Sequence, residues 1–266
     1  MSDKTILYSA DKNSVIAIDK GELVSYQVNN IEILHQKGDP GWGNTEIEMF
    51  PIIGATKDSN FLIKTPKKEA KLDQHGILRA LLYNTNTIEN NKVSYYKNYI
   101  ANTKVGNPKF PHKSTQEFLD WPYDFRFIKT FELTNASLKV YFEIYSEKDM
   151  PFMLGFHPAF KIYNSDMVLK SENQNISLKD ILQAGASAFL LKDSKKVSMQ
   201  NNGILKVDVK TKGFRHMMLW TEVNNMVCIE PITFYPSDVS VNKLHTGFDY
   251  SSGLERFEVI ISAQVS

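Results

Sequence analysis

Three segments of this chain carry residue types that could move protons. Gly155-Phe156-His157-Pro158-Ala159-Phe160 sets a histidine among aromatics, with a proline fixing the exit angle of the chain. Met226-Val227-Cys228-Ile229-Glu230-Pro231 is an apolar run closed by a carboxylate, and Gln74-His75-Gly76-Ile77-Leu78-Arg79 puts a histidine beside a glycine with an arginine four positions on. Ordinary pKa values of ~6.5 for imidazole and ~4.3 for a glutamate make a carboxylate base and an imidazolium acid of modestly raised pKa both accessible near neutral pH. Each such group, once positioned, supplies roughly 10²–10⁴-fold in rate. Each segment also has a plainer reading. A lone histidine between two phenylalanines is more often a hydrogen-bonded core residue than a catalyst. Glu230 taken alone reads as a strand-end carboxylate facing water, since burial would be costly without a partner or a use. The Gln74–Arg79 segment alone is a turn with polar residues.

Other chemistries find little support. The six histidines, His35, His75, His112, His157, His216 and His245, include no pair at i, i+2 or i, i+4, so metal spacing is weak. The chain has one cysteine, Cys228, so neither a disulfide framework nor a cysteine-based metal site is expected, and the residue reads as a small buried hydrophobe. There is no glycine-rich phosphate loop and no Gly-x-Ser-x-Gly elbow. With 31 basic and 30 acidic residues the net charge is +1, so no overall field draws in nucleic acid or a membrane surface. Arginine is scarce, and the dense basic run Lys64–Lys71 reads as a solvated loop. No long apolar segment follows Met1-Ser2-Asp3-Lys4, and none elsewhere could span a bilayer. The expectation is a soluble cytoplasmic protein.

The elements that must position these groups are strands. At 266 residues and 42% hydrophobic, the chain can bury a large core. Val24, Tyr26 and Val28 alternate with polar residues, Asn29-Asn30 supplies a tight turn, and Ile31 and Ile33 resume the pattern. Phe125, Phe127, Phe131 and Leu133 form one strand face. Thr134-Asn135-Ala136-Ser137 turns the chain into Leu138, Val140, Phe142 and Ile144. Leu205–Val209 and Phe257–Val265 repeat the alternation. One face to a core and one to water suits antiparallel sheets. Helical signals are few: Ser177 predicts a cap for a helix over 178–184 stopped by Gly185, and 114–121 is read as another helical turn. Strands recurring without long helices make an all-β chain of one domain, residues 1–266.

The segments, in chain order, resemble the aldose 1-epimerase (mutarotase) family, and most its bacterial LacX-like branch. Phe50-Pro51-Ile52-Ile53-Gly54 is similar to the family's Phe-Pro-x-x-Gly segment, Gln74-His75-Gly76 with Arg79 to His-Gly-x-x-Arg, and Trp121-Pro122-Tyr123-Asp124-Phe125 to an aromatic-Pro-aromatic-Asp-Phe segment. Met150-Pro151-Phe152 leading into Gly155–Phe160 resembles the signature, and Leu219-Trp220-Thr221 with Val227-Cys228-Ile229-Glu230-Pro231 the last catalytic segment. Leu244–Gly247 resembles the loop before the final strand, and the likeness spans residues 10–264. It implies a large twisted antiparallel β-sandwich with a groove on one sheet. It implies Glu230 as general base, His157 as general acid, His75 as a histidine binding the sugar near its reacting end and Arg79 as a contact to sugar hydroxyls. Phe160 and Trp220 become walls of the groove. The implied activity is interconversion of α and β anomers of a free aldohexose, without metal or cofactor, with a small-molecule sugar as partner and neither nucleic acid nor membrane.

Two departures bear on substrate choice. Many relatives carry an arginine where this chain has Ala55, and the branch often has an acidic residue where it has Ala80. Lost polar contacts change which hydroxyls are recognised. They leave open a carbohydrate-binding protein without turnover. A hexose-6-phosphate mutarotase is a further alternative, made less expected by the missing guanidinium.

Overall fold

Alternation along Phe125–Leu133 and Leu138–Ser146 produces a hairpin through Thr134-Asn135-Ala136-Ser137, with Phe131 opposite Val140 and Leu133 opposite Leu138. The computed structural model describes residues 4–172 and 174–266. This hairpin is the middle of a nine-stranded antiparallel sheet ordered 175–177, 168–170, 196–201, 205–212, 254–265, 138–146, 125–133, 92–99, 84–88. A second sheet is ordered Phe189–Leu191, His216–Trp220, Met226–Ile232, Gly155–Phe156, Glu48–Met49, and Ala159–Lys161 also pairs with Met226–Ile232. A four-stranded sheet covers Thr5–Tyr8, Ser14–Asp19, Glu22–Val28 and Ile31–Glu32. The chain is all-β, a large antiparallel sandwich.

The two larger sheets meet through aromatics. The Phe142 ring of the first lies 5.2 Å from Phe156 of the second, and Phe127 lies 5.6 Å from Phe50. All four are fully buried. Each such side chain contributes about 1.5–3 kcal/mol of transfer free energy. One polar pillar crosses this core: the Lys129 ammonium pairs with Glu46 at 2.6 Å and with Glu48, and its side chain is 1% exposed.

Asn29 and Asn30 take φ of 49° and 64°, the positive values a tight hairpin requires. Ser177 closes a capping box with Asp180 on the helix Leu178–Ala184, and Gly185 caps its end. Residues 114–121 do not form a helical turn. The segment ends in a short strand, Phe118–Leu119, paired with Val105–Gly106, and Leu119 and Trp121 are buried in the core. Tertiary burial of two large side chains overrides a weak local preference. Among the described residues, no helix is long and apolar enough to cross a membrane.

Candidate active site

Register builds the site. Gly155 pairs with Ile232 and Ala159 with Cys228, so one continuous antiparallel register sets His157 opposite Glu230. The break at His157-Pro158 is held by the neighbouring segment, with His157 N–H donating to Ile47 carbonyl at 2.9 Å and Ala159 N–H to Thr45 carbonyl at 2.9 Å. His157 Nε2 lies 3.2 Å from Glu230 Oε1. The contact lacks hydrogen-bond alignment, and His157 Nδ1 and Glu230 Oε1 have no hydrogen-bond partner among the described residues. Two buried polar groups with open valences are costly unless a ligand completes them. Glu230 is therefore not a strand-end carboxylate facing water. Its strand runs on through Pro231 to Ile232, and the residue is 2% exposed.

His75 approaches from the adjoining loop, its ring 6.1 Å from that of His157. Its backbone has φ of 67°, held by His75 N–H donating to Gly54 carbonyl at 3.0 Å while Gly54 N–H donates back to His75 Nδ1 at 3.2 Å. Because Nδ1 accepts, the neutral ring carries its proton on Nε2 and can donate. Strained backbone at such a site persists because its surroundings over-determine it. Gly76 follows at φ +80°, and a Cβ there would meet Phe50 carbonyl oxygen at 2.3 Å. Gly76→Ala should lower stability by about 1–3 kcal/mol in urea denaturation. Gly106→Ala, with open space around it, is the neutral control. Equal midpoints for the two variants would refute the constraint.

Arg79 stands half-buried on the next turn and forms no ion pair among the described residues, although the charges of Asp73 and Glu48 act on it. Burial, with Arg79 adding repulsion, drives His157 down to about 3 and His75 well below its ordinary value. Burial drives Glu230 well above the carboxylate range. The free protein thus holds His157 as neutral imidazole, not as the raised imidazolium that residue types suggest. The cause is the low dielectric of the cleft, which penalises either charge.

Aromatic walls flank the pair. Trp220, expected as a wall, lies 5.7 Å from the His157 ring. Phe160 is no wall. It is fully buried in the main core because alternation sends Ala159 to the site face and Phe160 to the opposite one. The wall that sequence reasoning missed is Trp42, whose ring sits 4.4 Å from His157 at 32°. His35, also missed, holds that loop through a 2.8 Å contact from Nε2 to Trp42 carbonyl. An isolated tryptophan between glycines, Gly41-Trp42-Gly43, is the signal that was there to find. Cys228 is buried as expected, but its neighbours are the catalytic candidates.

The site is thus a buried histidine facing a buried carboxyl, with two tryptophan rings beside it, in an antiparallel sandwich. The family model for aldose 1-epimerase matches residues 14–252, and the chain belongs to that family. No curated protein matches it in sequence. Among solved structures, it is similar to a galactose mutarotase-like protein from Lactobacillus casei, with TM-score 0.80, 17% identity, 98% of this chain and 100% of that chain covered. It is also similar to a galactose mutarotase related enzyme from Lactobacillus acidophilus, with TM-score 0.78, 19% identity and coverage of 99% and 97%. At these identities the likeness is one of fold.

Proposed function

We propose that this protein is a mutarotase that interconverts the anomers of a free aldohexose such as glucose or galactose. The observation that supports it most is the opposition of His157 and Glu230 at 3.2 Å with unfilled hydrogen-bonding positions. Neutral imidazole plus carboxylic acid holds the same single proton as imidazolium plus carboxylate, so the pair can pass between the two without changing net charge. In the second form Glu230 takes the proton of the anomeric hydroxyl while His157 gives one to the ring oxygen. The C1–O5 bond breaks, C1 becomes an aldehyde, and C1–C2 rotates. Attack of the hydroxyl on the other face reverses both transfers. Protons balance within the pair, and no cofactor enters the reading. Neutral His75 donates to a sugar oxygen near C1, the Arg79 fork binds hydroxyls, and Trp42 and Trp220 flank the ring.

The decisive experiment is polarimetry of freshly dissolved α-glucose and α-galactose. Wild type should accelerate mutarotation, and His157→Ala should lose roughly 10²–10⁴-fold of that acceleration. Unchanged decay with wild type would sink the free-sugar reading, and sugar binding without acceleration would identify a lectin-like protein.

One observation favours a second reading. A cavity of about 430 Å³ adjoins the His75 loop, lined by Ala55, Lys57, Gln74, Lys109, His112 and Lys113 among others. Its lysines occupy the neighbourhood where Ala55 withholds a guanidinium, and a hexose 6-phosphate is the substrate such charges suit. A hexose 6-phosphate arm of the same assay, preferred by wild type over the free sugar, would establish it.

A further inference from the structure

The register that sets His157 opposite Glu230 also brings in the chain's one cysteine. Cys228 lies two residues before Glu230 on the strand Met226–Ile232, so both side chains leave the same face. One ligating atom each from His157, Cys228 and Glu230 lies within 4.8 Å of the others. All three residues are more than nine-tenths buried, and His157 Nδ1 and Glu230 Oε1 have no hydrogen-bond partner among the described residues.

We propose that His157, Cys228 and Glu230 form a three-ligand site for a thiophilic divalent cation, with Zn²⁺ as the type ion, and that its occupation excludes the sugar. The second half rests on the proposed function; the first does not. Imidazole nitrogen, thiolate sulfur and carboxylate oxygen are the donors zinc takes at about 2.0–2.3 Å, which sets tetrahedral ligands about 3.3–3.8 Å apart. The His157–Glu230 contact is already at 3.2 Å. The widest separation has to close by at most about 1.5 Å to reach that spacing. Three protein ligands leave the fourth position to water. The thiol proton, and the proton that the buried Glu230 carboxyl holds in the free site, leave to solvent as the ion binds. Thiolate and carboxylate together neutralise the dication, so the loaded site carries no net charge into the cleft and Arg79 meets no net repulsion. Because the ion holds both proton-transfer groups, it competes with sugar and stops turnover.

The experiment is a cadmium titration read in the ultraviolet. Thiolate-to-cadmium charge transfer can come only from Cys228. Wild type should develop the band at one equivalent, lose it to added Zn²⁺, and show it weakened in His157→Ala and Glu230→Gln. Cys228→Ser, with Cys228→Ala as a second variant should it fold poorly, should show no band. Zn²⁺ affinity, measured against a chromophoric chelator, should fall by more than the roughly 10–100-fold that a supporting contact is worth. Zn²⁺ should inhibit wild-type mutarotation reversibly and leave Cys228→Ser, whose thiol moves no proton, turning over. No band in wild type, or a band indifferent to His157→Ala and Glu230→Gln, overturns the site. An ion bound together with sugar overturns the exclusion. The band reads a bond and not a rate, so it decides the metal site even in a protein that turns over no sugar.

Discussion

Glu230→Gln should lose roughly 10²–10⁴-fold of the mutarotation rate while keeping the fold. The amide fills the same volume on the strand Met226–Ile232 but can neither take the anomeric proton nor share one with His157. Stability supplies a second readout with a definite sign. The folded-state pKa of Glu230 lies well above its ordinary 4.5. Above pH 4.5 the folded protein therefore binds a proton that the unfolded chain has lost, and stability falls as pH rises toward the folded value. Glutamine lacks this penalty, so the variant should match wild type at pH 4 and gain on it progressively above. His157 acts oppositely. Its folded value of about 3 against an ordinary 6.5 makes its contribution rise with pH between those limits. Urea denaturation of wild type and Glu230→Gln across pH 4–8 tests the argument. Parallel stability profiles would show that the carboxyl is ordinary and solvated, and a wild-type rate in the variant would remove it from the mechanism.

Lys129→Met should cost about 3–5 kcal/mol, a large share of a typical total of about 5–15. Lys129 is fully buried between Glu46 and Glu48, and its ammonium lies 4.8 Å from the Tyr83 ring centroid. Removing it leaves two carboxylates to Lys97, which burial lowers to about 8, and to the more distant charge of Arg79. Glu46 is already pushed up to about 7 by burial, while Lys129 and Lys97 hold Glu48 low despite its burial. The pillar also bears on the site. Lys97 donates to Leu78 carbonyl at 2.9 Å, one residue before Arg79, and Glu48 pairs in register with Phe156, one residue before His157. The variant should therefore lose sugar affinity as well as stability. Lys129→Met combined with Glu46→Gln and Glu48→Gln should recover most of the loss, because the cost lies in stranded charge and not in missing volume. A urea midpoint equal to wild type for Lys129→Met alone would mean that the carboxylates find solvent.

Period-2 alternation and short-range turn chemistry were legible from residues alone. Val24–Val28 with Asn29-Asn30, the hairpin of Phe125–Leu133 with Leu138–Ser146, and the Ser177 cap depend on neighbours a few positions apart. The 114–121 segment was misread because its fate is set by burial of Leu119 and Trp121 against distant strands. Phe160 was misplaced because its strand fixes alternation but not which face meets the core. Trp42 escaped notice because its loop gains meaning only where His35 and the His157 segment meet it.

By itself the sequence determined an all-β chain, the candidate groups His157, Glu230, His75 and Arg79, and the family those segments resemble. The tertiary structure decided that His157 faces Glu230, that Cys228 joins them, and that burial in the cleft pushes the histidines down and the carboxyl up from their ordinary values. The physical reason is that pairing register and local dielectric are properties of chain segments brought together from far apart. No single strand contains its partner's register or the burial that shifts its own charges.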